Sequence, residues 1–179
     1  ESRVRLRHLD LITRPAAREM VRVRSAVMKS LRDNYEGRGY TEIETPILQL
    51  IHGGAQARPF VTHSNAYDED LYLRIATELY LKRAVLGGID RVFEIGREFR
   101  NEGADSTHSP EFTSLESYEA YADYYAMADL TRNLVQQATL DALGTTHVTL
   151  ADGTDYELGG EWKRIDLYTT VSEKLGEEI

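Results

Sequence analysis

Residues 93–118 read FEIGREFRNEGADSTHSPEFTSLESY, two alternating runs joined by a polar loop. Successive side chains on a strand point to opposite faces, so such alternation fixes both the element and the side each residue takes. In the first run Glu94, Gly96, Glu98, Arg100 and Glu102 share one face, and Phe93, Ile95 and Phe99 share the other. In the second, Phe112, Ser114, Glu116 and Tyr118 share a face. Paired as a hairpin, the runs place an arginine, several carboxylates, a phenyl ring and a phenol on one side of a sheet. That side can grip a phosphate, stack a base and hold an ammonium group. The same alternation also fits a half-solvated strand, with Arg100 paired to Glu98 or Glu102 and Phe112 in the core.

The rest of the chain supplies helices around this hairpin. Residues 1–13 read as an extended lead-in. Thr13 and Pro15 then give an N-cap and first-turn signal for a helix over 15–35, with Met20, Val23, Val27 and Leu31 as its buried stripe. Gly37 and Gly39 end it, and TEIETP starts a short strand stopped at Pro46. A Gly-rich loop leads to strands at 60–63 and 71–75. Thr77 reads as the N-cap of a helix over 78–86, stopped by Gly87 and Gly88. A longer helix is predicted over 123–143, with Met127, Leu130, Leu134 and Ala138 inward. Asp152–Gly153 reads as a hairpin turn between VTL and YEL, and a short helix closes the chain near 170–175. Hairpin-linked strands without βαβ alternation define an α+β fold, an antiparallel sheet flanked by helices.

Composition narrows the class. A chain of 179 residues, 41% hydrophobic and 28% charged, suits one soluble globular domain with a real core. No apolar run approaches a membrane span, no signal peptide is visible, and there are no cysteines, so a cytoplasmic protein without membrane contact is expected. The net charge of −9 argues against a general nucleic-acid coat. Arg3, Arg5, Arg7, Arg14, Arg18, Arg22 and Arg24 still make a basic stretch, which reads equally as a local RNA patch or a solvated helix face. His108 lies in a loop where it can meet a polyphosphate, and Glu78 at a helix start is favourable on dipole grounds alone. Gly53–Gly54 allows a tight turn or a close backbone approach to a ligand. No P-loop, GxGxxG or HExxH pattern occurs.

Longer strings are more specific. GYTEIETPILQ resembles motif 1 of the class II aminoacyl-tRNA synthetases, with Pro46 as its hallmark proline. FRNEG at 99–103 and HSPEFTSLESY at 108–118 resemble motif 2 and its loop. RHLDLI, IHGGAQARPF, LYLRIATELYLKR and RVFEIGREFRNEG resemble the lysyl branch of that class, and the likeness covers nearly the whole chain. It implies an enzyme that joins lysine to ATP as an adenylate and then to tRNA(Lys). Arg100 would bridge the lysine carboxylate and the α-phosphate as the catalytic group. Glu102 would read the adenine amino group, His108 approach the outer phosphates and Phe112 stack on adenine. Gly54, Glu78 and Glu116 would surround the α-amino group, and Tyr118 would reach the ε-amino end. Pro46 would lie in a homodimer interface. Mg2+ would help neutralise the triphosphate, its ligands falling outside these residues.

The departures carry expectations too. Thr77 stands where the family often has proline, and Ser117 replaces a commoner apolar residue, its side chain directed away from the site. ESYEAYADY resembles actinobacterial members, some fused to a membrane lysyl-lipid synthase. The resemblance implies a fragment. Residues 1–14 would lead in from an N-terminal OB-fold domain, and 15–179 would form the N-terminal portion of the catalytic domain. Motif 3 would be absent, leaving the piece nearly inactive alone. An elongation-factor lysyl-transferase, a lysyl-lipid synthase fusion and a non-catalytic regulatory paralogue are the rival readings.

Overall fold

The computed structural model describes residues 5–150 and 152–178. The chain forms two compact units, one of residues 28–127 and one joining 1–27 with 128–179.

The unit of residues 28–127 is organised by the predicted hairpin. Strand β5 (Arg91–Phe99) pairs antiparallel with β6 (Glu111–Glu119), Glu94 opposite Glu116, Gly96 opposite Ser114 and Glu98 opposite Phe112. One face is apolar: Phe93 is fully buried and stacks on Tyr35 at 4.5 Å, at the C-terminal end of helix α2 (Pro15–Gly37). The Tyr35 hydroxyl donates to Ser117 Oγ at 3.0 Å, so Ser117 does turn away from the polar face. At the open end Arg91 Nε donates to Glu119 Oε1 at 2.6 Å, and Tyr40 OH donates to Glu119 Oε2 at 2.7 Å.

Strand β1 (Thr41–Glu42) joins β5 in parallel, so this sheet is mixed where hairpin logic alone implies purely antiparallel pairing. Residues 43–90, which separate β1 from β5, supply the long connection that parallel pairing requires. A second sheet has the order β2 (Leu48–Gln49), β4 (Glu69–Leu73), β3 (Val61–Ser64), all antiparallel. Helix α3 (Glu78–Leu86) packs Leu81, fully buried, towards the hairpin. Thr77 occupies its N-cap position but does not cap it. The residue is αR, and its buried Oγ1 has no hydrogen-bond partner.

The other unit is simpler. Helix α4 (Tyr124–Leu143) buries Leu130, Leu134, Ala138 and Ala142, close to the predicted stripe, and Asp123 Oδ1 caps it through the Ala126 amide at 2.9 Å. A hairpin of β7 (His147–Thr149) and β8 (Asp155–Glu157) turns at Asp152–Gly153 as expected, and helix α5 (Leu167–Leu175) is capped by Asp166. Three expectations fail here. Residues 7–13 are not extended: helix α1 (Arg7–Thr13) forms because the buried Asp10 pairs with Arg7 one turn back and Arg14 one turn on. Thr13 therefore ends that helix, donating to the Leu9 carbonyl, instead of capping α2. Met20 is 69% exposed and the buried position near it is Ala17. Arg3 lies outside the described residues. No helix among the described residues is long and apolar enough to cross a membrane.

Candidate functional site

The polar face of the hairpin is not a solvated face. Glu94 and Glu98 are both buried, Glu98 at 1% exposure. Burying a carboxylate is costly unless charge and hydrogen bonds compensate it. For Glu94 they do. Arg74, in the turn after β4, lies across Gly96 and donates from Nη1 to Glu94 Oε1 at 2.5 Å. It also donates to the Thr45 carbonyl at 3.0 Å and, through Nε, to the Arg97 carbonyl at 2.8 Å. Thr45 Oγ1 completes the set by donating to Glu94 Oε2 at 2.6 Å. A Cβ at position 96 would stand 2.1 Å from Arg74 Nη2, so the glycine is what lets the guanidinium cross the strand.

Glu98 is compensated far less, by Arg100 and the Ser114 side chain alone. Its Oε1 is buried without a hydrogen-bond partner, and its Oε2 lies 3.7 Å from Arg100 Nη2. Burial lifts the Glu98 carboxyl to about 7, the like charge of Glu116 adds to the rise, and Arg100 opposes it. Beside it the Tyr118 hydroxyl donates to Glu116 Oε2 at 2.8 Å. Burial and that neighbouring carboxylate hold the phenol well above its usual range. Glu78 opens α3 and pairs with Lys82, whose Nζ stands 5.8 Å from the Tyr118 ring centroid. Gly54, at φ +88°, packs against this helix start, since an added Cβ would come within 3.0 Å of Glu78 Cβ. The predicted ammonium-binding residues Gly54 and Glu78 thus lie side by side, and Tyr118 donates to Glu116.

Where the hairpin meets its loop, Arg100, Glu102, Gly103, Thr107, His108, Ser109 and Phe112 line a cavity of about 340 Å³. All four residues expected around a nucleotide are therefore gathered at one place. The Arg100 guanidinium lies 5.0 Å from the Phe112 ring centroid and donates to the Ile75 carbonyl from Nη2 at 3.3 Å. Glu102 is not the partner of Arg100: its Oε1 accepts from the Arg58 amide at 3.2 Å. His108 is set by an Asx turn, in which Asp105 Oδ1 accepts from the Thr107 amide at 2.7 Å and the His108 amide at 2.8 Å. The same carboxylate lies 2.9 Å from His108 Nδ1. The two backbone donors and the His108 and Thr107 side chains hold the Asp105 carboxyl down to about 2. Pro46 is not among the cavity-lining residues; it follows Thr45 and precedes the exposed Ile47, Leu48, Leu50 and Ile51. Among the described residues no group of three or more histidines or carboxylates could hold a metal ion.

Sequence reasoning missed Arg74, Thr45 and Asp105, and it placed Glu98 on the right face beside Arg100 without its burial. Arg74 had a signal, a lone charge inside the run LYLRIA facing a glycine in mid-strand, and D-x-T-H is a recognisable Asx-turn spacing. The burial of Glu98 had none, because it depends on what the chain between β4 and α3 covers.

The family model described as tRNA synthetases class II (D, K and N) matches residues 1–177, and the chain belongs to that family. It is 63% identical to the lysine–tRNA ligase of Kineococcus radiotolerans and 60% identical to that of Mycolicibacterium gilvum, over its whole length. It is also 52% identical to a lysylphosphatidylglycerol biosynthesis bifunctional protein of Mycolicibacterium gilvum. The chain spans 36% of the length of each of the two ligases and 17% of the bifunctional protein.

Proposed function

We propose that this chain supplies much of the lysine and ATP site of a lysine–tRNA ligase, acting through a lysyl-adenylate. The observation that carries the reading is the hairpin face itself, with Arg100 between an aromatic cavity on one side and Glu116, Tyr118 and Glu78 on the other. The reaction needs an anionic carboxylate and an α-phosphate held together while two negative charges approach. A guanidinium with paired planar donors meets that demand, and its contribution is positioning and charge neutralisation. Arg100 covers one face of Phe112. Adenine would stack on the ring by displacing the guanidinium or by taking the other face, with Glu102 in reach of its amino group. His108, oriented by Asp105, would meet the outer phosphates. Gly54, Glu78 and Glu116 would receive the α-ammonium and Tyr118 the ε-ammonium. Magnesium would act from residues outside those described. Residues 1–14 would lead in from another domain, and the exposed apolar surface around Pro46 would pair two copies.

The test is lysine-dependent ATP–pyrophosphate exchange in a protein of the relatives' full length that contains this segment. Arg100→Ala should lower the exchange rate roughly 10²–10³-fold, the scale of losing one electrostatic contact to the developing charge, with little loss of folding stability. An unchanged rate would refute the role. The 179-residue chain by itself should show little exchange. The likeness to the bifunctional protein makes a lipid acceptor the second reading, and comparing transfer to tRNA with transfer to phosphatidylglycerol separates the two.

A further inference from the structure

The amino-acid side of the site contains one ionisable group that no role accounts for. Glu98 is buried on the site face with its Oε1 unpartnered, and it shares that face with Glu116, which pairs with Glu94 further along the hairpin and whose charge acts on it. Around it stand Glu116 and Tyr118 from β6, Arg100 from the end of its own strand, and Arg74 with its partner Glu94. From α3 come Glu78 and Lys82, which pair with each other. Arg74 is already committed to Glu94 and to carbonyl groups, so it does not serve Glu98. Arg100 is 3.7 Å away and reaches instead for the Ile75 carbonyl. A buried carboxylate with one unpartnered oxygen beside a second carboxylate is unfavourable when both are charged. The arrangement becomes favourable once a cation enters.

We propose that Glu98 is a positioning residue of the lysine site, a buried carboxylic acid that releases its proton to solvent when the substrate's α-ammonium docks on Glu116. The proposal rests on the reading that Glu116 takes the α-ammonium. Before lysine binds, the neutral acid avoids like-charge repulsion with Glu116. The incoming ammonium cancels that repulsion, Glu98 ionises, and its carboxylate then attracts the Arg100 guanidinium from the far side. Glu98 thereby couples the group that holds the amino end of lysine to the group that holds its carboxylate. No covalent bond of the substrate changes; one proton passes from Glu98 to bulk water for each site that reaches the ionised state.

Titration calorimetry with L-lysine decides the matter in the full-length protein containing this segment, at pH 7 in two buffers of different ionisation enthalpy. The wild type should release roughly half a proton on binding, and its lysine affinity should rise about tenfold from pH 6 to pH 8. Glu98→Gln, which keeps the shape of the neutral acid, should bind lysine with equal heat in both buffers and with an affinity flat over that range. Equal heats in the two buffers for the wild type would overturn the proposal and leave the lysine reading standing. Proton release that persists in Glu98→Gln would overturn it too, since the proton would come from another group. No lysine heat in either buffer would overturn both. The wild-type arm decides the question even if the variant does not fold.

Discussion

The two faces of the β5–β6 hairpin are made from alternate residues of the same two strands, yet they are stabilised in opposite ways. The face carrying Phe93 and Ser117 meets Tyr35 through ring stacking and one hydroxyl bond, the ordinary closure of an apolar core. The face carrying Glu94, Gly96 and Glu98 is as deeply buried but is held by a guanidinium threaded across a glycine, with one oxygen of Glu98 left without a hydrogen-bond partner. The first face is complete as folded. The second is stable where Arg74 serves it and poised where it awaits a cation, so burial by itself does not mark a core.

Substitutions on each face test that contrast. Arg74→Ala should have the largest effect, about 3–5 kcal/mol of stability in denaturant titration, because it strands Glu94 as a buried, uncompensated charge. Pairing it with Glu94→Leu should restore most of the loss; a double variant as unstable as the single one would mean that the pair does more than neutralise itself. Glu98→Gln should act in the opposite direction. A carboxyl raised to about 7 in the folded protein binds its proton more tightly than the unfolded chain does. Its stabilisation is thus full below about pH 4.5 and is lost as pH rises through 7, by about 3 kcal/mol on linkage arithmetic. The amide variant should therefore melt higher than wild type at pH 8 and no higher at pH 4, and a constant difference across pH would break the distinction between the faces. Ser117→Ala, on the apolar face, should cost only about 1 kcal/mol, the scale of one hydrogen bond, with no pH dependence between 5 and 8.

Much of this was legible from residue order. Parity placed Arg100, Glu116 and Tyr118 on one face, and the strands, loop and flanking helices fell close to their expected positions. Period-2 alternation gives a side chain's direction but not what lies over it. The solvated-face reading and the buried-site reading therefore differed only through Arg74 and the 74–77 segment, which approach from elsewhere in the sequence. The same limit explains α1, where Asp10 joins flanking arginines into a helix that an extended reading overlooked. It also explains Met20, which apolar spacing put inside and the fold leaves exposed. Thr77 shows the reverse case: the residue type and place of a cap were right, and the backbone conformation withheld the bond.

The Asx turn at Asp105 has a consequence for the kinetics of ligand capture. A polar loop of this length between two strands would ordinarily sample many shapes, and a ligand arriving there would have to freeze them. Here one carboxylate ties down two successive amides and the His108 ring before anything binds. That part of the ordering entropy is spent during folding, so association is slowed less by a search among loop conformers. Exchange of the Thr107 and His108 amides with solvent deuterium should accordingly be slow for so exposed a loop, and it should quicken in Asp105→Ala.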